Sequence, residues 1–337
     1  MTPPLLHHRS DLVRIAVAAM KERGLEPEFS AQVQDQLSRI GDAAPGITAQ
    51  VKDLTDLLWC SIDNDDSRDL DQLTASEVLP QGVVRIRVAI ADVDALVPVG
   101  SPIDAHARTN TTSVYTSARI FPMLPEKLST NLTSLNEHED RLALVTEMVF
   151  NPDGALAGST VYRALVRNRA KLAYDATSAW LDGKAPMPAA IAAVAGMEEQ
   201  VRTQDSMAQQ LRARRHAEGS LEFETFQPRA VFEGETVVAI ELQEHNRARQ
   251  LIEELMIATN GCTARYLATR GGLSLRRVVR SPERWLRIVA VAKDYGESLP
   301  AEPDSRALSA FLARQRRLDP VRFPDLSLVI VKLMGAG

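Results

Sequence analysis

The chain has 337 residues and a formal net charge of −5, with 45% hydrophobic and 25% charged residues. This balance is typical of a folded protein, and it excludes both extended disorder and a strongly basic surface for unselective nucleic-acid binding. No apolar run reaches the roughly 18 residues of a membrane-spanning helix, and the N-terminus lacks the apolar stretch of a secretory signal. Two cysteines cannot form a disulfide framework. We therefore expect a cytoplasmic protein without a membrane partner.

Residues 1–47 predict a small helical module. Apolar residues between Leu12 and Met20 follow helical spacing, and Gly24 ends that pattern. A second amphipathic pattern follows Pro27 and ends before a DAAPG segment that is typical of a linker. Two short helices are compatible with a helix-turn-helix or winged-helix-like module, and equally with a helical cap that packs on the next domain.

Beyond the linker, the period of the apolar residues changes from helical to alternating. Alternation of this kind predicts strands, here at 84–91, 142–150 and 159–166. Helical patterns return later in the chain, at 189–217, 247–269 and 282–295. Strands first and helices afterwards, without regular alternation between them, favour an α+β fold.

An acidic segment precedes the first of these strands. SIDNDDSRDLDQ, residues 61–72, contains five aspartates within nine positions, namely Asp63, Asp65, Asp66, Asp69 and Asp71. Like charges at this density repel one another, and a divalent cation with oxygen ligands is the natural partner. Asp69 and Asp71 project to one face of an extended chain, and a turn can return Asp63 to the same place. The segment lacks the glycine and the glutamate of an EF-hand, so it does not match that calcium-binding loop. The alternative to a metal site is a polar surface turn.

Several motifs, in order, resemble the catalytic domain of the ribonuclease II / ribonuclease R (RNB) family. SIDNDDSRDLDQ is similar to the aspartate-rich signature of that family, and VAIADVDALVPVGSPIDAHA to the strand and loop that follow it. The longest match is TSVYTSARIFPMLPEKLSTNLTSLNEHEDRLALVTEM, and EGSLEF and RARQLIEELMIATN continue it. The resemblance implies an RNB-type catalytic domain over residues 48–337, with a mixed or antiparallel sheet flanked by helices.

The resemblance also implies an activity. Family members are hydrolytic exoribonucleases that degrade single-stranded RNA from the 3′ end and release nucleoside 5′-monophosphates. They use Mg²⁺, for which Mn²⁺ is an alternative, and they are largely monomeric. We accordingly expect single-stranded RNA as the partner of this chain, and a monomer.

The site residues follow from the resemblance position by position. The carboxylates implied to be catalytic and to bind the metal are Asp63, Asp69 and Asp71. Tyr115, in TSVYTS, matches the aromatic residue that packs the terminal nucleotide. Phe223, in SLEF, matches the aromatic residue that clamps the stacked bases from the other side. Glu253, in LIEEL, aligns with an acidic residue near the RNA end. Without the resemblance, both aromatics are typical of a core and Glu253 of a helix surface.

Two departures from the family pattern weaken the expectation of rapid catalysis. Gln72 stands where the family usually has its fourth aspartate, and an amide offers an oxygen but no charge. The sequence also stops after VKLMGAG, before the arginine motif and the S1-type domain of the family, so we expect the catalytic domain to be C-terminally incomplete. The alternative function is therefore a catalytically weak or inactive RNA-binding relative, or a fragment of a family member.

Overall fold

The computed structural model describes residues 8–41, 43–44, 50–224, 228–234, 236–242, 246–276, 278–279 and 281–335. The α-helices are α1 (Arg9–Glu22), α2 (Ala31–Arg39), α3 (Pro102–Asn110), α4 (Tyr174–Leu181), α5 (Ala189–Ala192), α6 (Met197–Ala217), α7 (Arg247–Thr269), α8 (Trp285–Asp294), α9 (Ser305–Leu318) and α10 (Phe323–Met334). The strands are β1 (Lys52–Asp53), β2 (Trp59–Asp63), β3 (Gln72–Val78), β4 (Val84–Ala91), β5 (Val114–Tyr115), β6 (Ile120–Phe121), β7 (Asp140–Phe150), β8 (Leu156–Ala173), β9 (Pro228–Glu233) and β10 (Thr236–Leu242). Of the predicted linker at 42–46, residues 42, 45 and 46 lie outside the described residues.

Six strands form one mixed sheet in the order β1-β8-β2-β3-β4-β7. β1 and β2 run parallel to β8, and the other neighbours are antiparallel. The long strand β8 pairs with β7 over 156–167 and with β2 over 168–173, so the strand pairings close into a ring. The predicted α+β fold with a mixed sheet flanked by helices is confirmed. The closed ring was not predicted, because pairing partners are not encoded in local alternation.

The side chains of the sheet alternate between two apolar clusters, as the pleat of a strand requires. Ile62 and Val88 lie in a buried cluster with Met197 of α6 and other residues of α4 to α7. Trp59 and Ala89, at the intervening positions, lie in a second buried cluster within the strands. Both faces of β2 are therefore buried, which holds its last residue firmly in place.

The helices at the end of the chain have a core of their own. Helices α8, α9 and α10 share a buried cluster that includes Trp285, Phe311 and Ile330. The helical pattern predicted over 189–217 corresponds to two helices, α5 and α6, because the chain breaks between them at Gly196. This residue has a φ of +83°, and a Cβ atom here would lie 3.0 Å from Leu58. The helix at 247–269 was predicted with its exact bounds.

The N-terminal helices pack on the region around α3. Val33 of α2 shares a buried cluster with Ile103 of α3 and with Leu128. Glu28 forms an ion pair with Arg119 at 2.9 Å. Arg9 of α1 donates from Nε to Ala118 O at 2.8 Å. Residues of α1 and α2 therefore contact the segments before and after β5. Among the described residues, no helix combines the length and apolarity needed to cross a bilayer.

Candidate active site at the end of β2

Asp63 ends β2 and lies almost completely inside the protein. The residue is only 9% exposed. Gln72, the first residue of β3, donates a hydrogen bond from Nε2 to Oδ1 of Asp63 at 3.2 Å. The other oxygen, Oδ2, is buried and accepts no hydrogen bond from the described residues. A buried carboxylate oxygen without a donor is unusual, and it is an available ligand for a cation.

The surroundings of Asp63 disfavour its negative charge. Burial, together with the negative charges of Asp71 and Asp69, raises the pKa of Asp63 to about 6, although Gln72 and Lys171 act in the opposite direction. Burial by surrounding atoms, and then the charge of Asp69, also raises the pKa of Asp71. The three predicted carboxylates therefore interact, and the structure places them at the same end of the sheet.

The loop between β2 and β3 is held by bonds from its backbone. The predicted turn is present, because Ser67 N donates to Asn64 O at 3.0 Å. Lys171 of β8 donates from Nζ to Ser67 O at 2.7 Å, and Ala91 N donates to Asp71 O at 3.0 Å. Backbone carbonyls of residues 64, 67 and 71 therefore serve as anchors of the loop.

Tyr115 lies on the short hairpin of β5 and β6. The structure brings it to residues 63–71, which we call the acidic loop. Its hydroxyl donates a hydrogen bond to Oδ2 of Asp69 at 3.0 Å. The residue is 64% exposed, so most of the ring is open to solvent. Partial desolvation and the neighbouring Asp69 raise the pKa of the Tyr115 hydroxyl. An exposed ring tethered beside a carboxylate cluster is suited to stacking against a base.

The acidic loop fits a divalent cation in its charge and in its open oxygen. The donors are carboxylates, which hard cations such as Mg²⁺ prefer. However, among the described residues no three acidic, histidine or cysteine side chains already converge around one point. Asp69 accepts the hydrogen bond from Tyr115 through Oδ2.

Phe223 and Glu253 lie together, at a separate position. Both line a cavity of about 90 Å³ between α7 and the segment that follows α6, and Gln250 and Arg212 line it as well. Glu253 is exposed, whereas its neighbour Glu254 is buried and pairs with Arg215 at 2.5 Å. Exposure leaves Glu253 able to meet a ligand, while Glu254 holds α6 and α7 together.

The first turn of α7 connects this cavity with the acidic loop. Arg249 donates from its guanidinium to Oδ1 of Asn64 at 2.7 Å and lies over the ring of Tyr174 at 4.4 Å. Burial, and then the charge of Asp63, raises the pKa of Tyr174 to about 12. Sequence reasoning did not single out Arg249 or Tyr174. The only signal was the pair of arginines at the start of RARQLIEELMIATN.

The fold therefore defines the class of protein. It is an α+β domain that carries an acidic loop at the end of a closed mixed sheet. Residues 51–337 match the family model described as the RNB domain, so the chain belongs to the RNB domain family. Among curated relatives, ribonuclease R of Vibrio cholerae is 32% identical over 266 residues, which cover 78% of this chain. The same match covers 32% of the relative, so the chain spans about a third of the relative's length.

Solved structures have the same fold. Mycoplasma genitalium RNase R in complex with ribose methylated single-stranded RNA gives a TM-score of 0.86 at 24% identity, covering 96% of this chain and 50% of that one. Yeast Ssd1, described as a pseudonuclease, gives a TM-score of 0.67 at 14% identity, covering 86% and 36%. At these identities, the two neighbours establish the fold alone.

Proposed function

We propose that this chain forms the catalytic part of an exoribonuclease that degrades single-stranded RNA from its 3′ end. The observation that carries the proposal is the acidic end of β2, where Asp63 keeps a buried, unpaired oxygen beside two further carboxylates. Membership of the RNB domain family and the similarity to ribonuclease R support it. In the proposed reaction, water adds to phosphorus and the P–O3′ bond breaks. The released product is a nucleoside 5′-monophosphate, and the shortened RNA keeps a 3′-hydroxyl.

Mg²⁺ is the proposed cofactor, with Mn²⁺ as the alternative. When bound, such an ion lowers the pKa of a water ligand and offsets negative charge on the phosphate. Asp63, Asp69 and Asp71 are the residues that would hold it. Gln72 orients Asp63 through Oδ1 and leaves Oδ2 available.

The proposed roles of the remaining site residues concern the RNA. Tyr115 packs against the terminal nucleotide, and its hydrogen bond to Asp69 keeps the ring next to the carboxylates. Phe223 clamps the stacked bases from the side opposite to Tyr115, and Glu253, which lines the same cavity as Phe223, lies near the RNA end. Stacking holds a strand without selecting its sequence, because every base has a π-face.

A second candidate function is an RNA-binding protein with weak or no catalysis. Gln72 favours it, because an amide replaces a charged ligand at the family's fourth aspartate position. The fold that this chain has in common with a pseudonuclease is compatible with it. Turnover by the unmodified chain is what separates the two candidates.

The experiment is the degradation of a 5′-labelled, single-stranded poly(A) with Mg²⁺, compared with EDTA and with Asp71→Asn. We expect a ladder that shrinks from the 3′ end, and we expect both EDTA and Asp71→Asn to abolish it. Asp71→Asn should keep or improve RNA binding, because it removes a negative charge that faces phosphate. Asp65→Asn is the matched control, since Asp65 is an exposed aspartate of the same loop, and it should leave the ladder intact.

Two results would contradict the proposal in different ways. Normal degradation by Asp71→Asn would show that the carboxylate assignment is wrong. Binding of poly(A) without any shortening by the unmodified chain would favour the second candidate function.

The organisation of the chain also belongs to the proposal. We assign residues 48–337 to the catalytic domain, and the family match that begins at residue 51 supports that boundary. Residues 1–47 form the proposed N-terminal module, and its helix-turn-helix-like character stays a prediction. The proposed setting is a monomer that acts on RNA in the cytoplasm.

A further inference from the structure

The segment 220–224, here called the strap, carries Phe223 and is anchored along its length. It has neither helical nor strand structure, and it connects α6 with the hairpin of β9 and β10. Ser309 Oγ of α9 donates to Ser220 O at 3.0 Å. At the other end of the strap, Glu224 N donates to Oγ of Ser327 in α10 at 3.2 Å. A segment without regular structure is thus tied at both ends to the C-terminal helices.

The side chains of the strap divide by type. Leu221 and Phe223 pack against the apolar cluster of α8, α9 and α10. Glu222 and Glu224 instead form ion pairs with arginines. Phe223 therefore lies between two glutamates that are held by ion pairs, so the backbone before and after Phe223 is fixed in position.

One arginine holds both of these glutamates. Arg316 of α9 lies 2.9 Å from Oε1 of Glu222 through one guanidinium nitrogen, and 2.5 Å from Oε1 of Glu224 through the other. Arg212 of α6 contacts the same Oε1 of Glu222 at 2.5 Å. Arg316 also lines the cavity that Phe223 and Glu253 share. The guanidinium that spans the two neighbours of Phe223 therefore belongs to a residue that lines the same cavity as Phe223.

We propose that Arg316 is a positioning residue that sets Phe223 for stacking on RNA by bridging Glu222 and Glu224. This inference rests on the proposed function, because it assigns a means of control to a residue already proposed to contact the strand. A planar guanidinium presents donors in a rigid fork and can bind two carboxylates at once. A lysine ammonium is a single point of charge, so it cannot fix the two glutamates in the same geometry.

Helix α9 offers a matched control. Arg314 lies two residues away and pairs with Glu297 at 2.7 Å, and its hydrogen bonds and ion pairs within the described part of the chain all go to Glu297. Arg314→Met and Arg316→Met both keep an apolar stem and remove an ion-paired guanidinium from the same helix. A role in holding α9 alone predicts similar effects from both variants, whereas a positioning role predicts an effect on RNA from Arg316→Met only.

The test is a double-mutant cycle of Arg316→Met with Phe223→Ala. Affinity for a short oligo(A) is measured in EDTA by fluorescence anisotropy, so that turnover does not interfere. We expect Phe223→Ala and Arg316→Met each to weaken binding about tenfold, the size of one lost stacking contact. The double variant should be no weaker than Phe223→Ala, because coupled residues are not additive. Arg314→Met should stay within about twofold of the unmodified chain.

Equal effects of Arg314→Met and Arg316→Met, or additive effects in the double variant, would overturn the inference. If Arg316→Met does not fold, Arg316→Lys takes its place. It keeps the charge, and it should melt like the unmodified chain yet still bind oligo(A) more weakly. Turnover of the unmodified chain with Mg²⁺ is measured in parallel. Its absence would defeat the proposed exoribonuclease, while the binding cycle would still decide the role of Arg316.

Discussion

Two groups of acidic side chains on the same sheet have opposite electrostatic surroundings. On β3, β4 and β7, Arg87 contacts Glu147 at 2.8 Å and Glu77 at 3.2 Å, and Tyr162 donates to Glu147 at 2.9 Å. Burial acts to raise the pKa of Glu147, but hydrogen bonds from Arg87 and Tyr162 outweigh it, and the pKa lies below its usual value. At the end of β2, burial and the negative charges of Asp71 and Asp69 raise the pKa of Asp63.

The two groups therefore differ in their role. The first group stabilises the fold through ion pairs and hydrogen bonds, whereas the second group lacks enough positive charges and donors to balance its negative charge. Glu147 receives its positive charge and its donors from neighbouring strands, so its interactions are complete. Asp63 is more buried, yet one of its oxygens is unpaired and two further aspartates lie nearby. Like charges held close together cost folding free energy, and a bound cation would offset that cost. The comparison yields three predictions, which begin with the largest expected effect.

Magnesium should stabilise the chain through the acidic loop. A ligand present at about 100 times its dissociation constant adds about 2.7 kcal/mol to the free energy of unfolding, and we expect a rise in Tm on titration with MgCl₂. Asp63→Asn should abolish the rise, and Asp65→Asn should preserve it. The measurement is a thermal melt in metal-free buffer and in MgCl₂. No rise in the unmodified chain would mean that the loop is not a metal site.

The charged group on the sheet should behave as a purely structural element. Glu147→Gln leaves Arg87 with weaker partners, and we expect a loss of about 1–2 kcal/mol of unfolding free energy at neutral pH. Because the pKa of Glu147 is lowered on folding, its contribution is present above its ordinary pKa of about 4.5 and disappears as the pH falls further. Urea melts from pH 7 to pH 3 should therefore show the two proteins converging. Turnover of RNA should be unchanged, and a large loss of turnover would contradict the division between the two groups.

Gln72→Asp should make the acidic loop more dependent on metal. The substitution removes the hydrogen bond to Asp63 and adds a fourth carboxylate, so in EDTA the unfolding free energy should fall by about 1 kcal/mol or more. Mg²⁺ should then produce a larger rise in Tm than in the unmodified chain. An equal rise in both proteins would indicate that residue 72 lies outside the reach of the ion.

The sequence was sufficient for the elements with strong periodicity. Strand 84–91 and helix 247–269 appear with the predicted bounds, because their apolar patterns extend over the whole element. The hairpin of β9 and β10 was missed, and so was α3, although Ser101 caps it by accepting from Asp104 N at 3.3 Å. Short elements depend on their partners, which a local pattern does not reveal.

The candidate site shows the same limit. Spacing alone suggested that Asp63, Asp69 and Asp71 lie together, because they belong to one loop. The contact between Tyr115 and Asp69 joins residues 46 positions apart, and the local pattern of neither segment predicts it. Likewise, the hydrogen bond from Arg249 to Asn64 spans 185 positions and depends on how α7 crosses the sheet.

The packing of α2 against α3 has a consequence for how the chain is made. Synthesis proceeds at about 5–20 residues per second, so the apolar face of α2, with Val33, waits several seconds before Ile103 emerges. During that interval, the first helices have no apolar partner from the α3 region. Helix α2 is thus made before the segment that it packs against, and it must wait for that segment before it can pack.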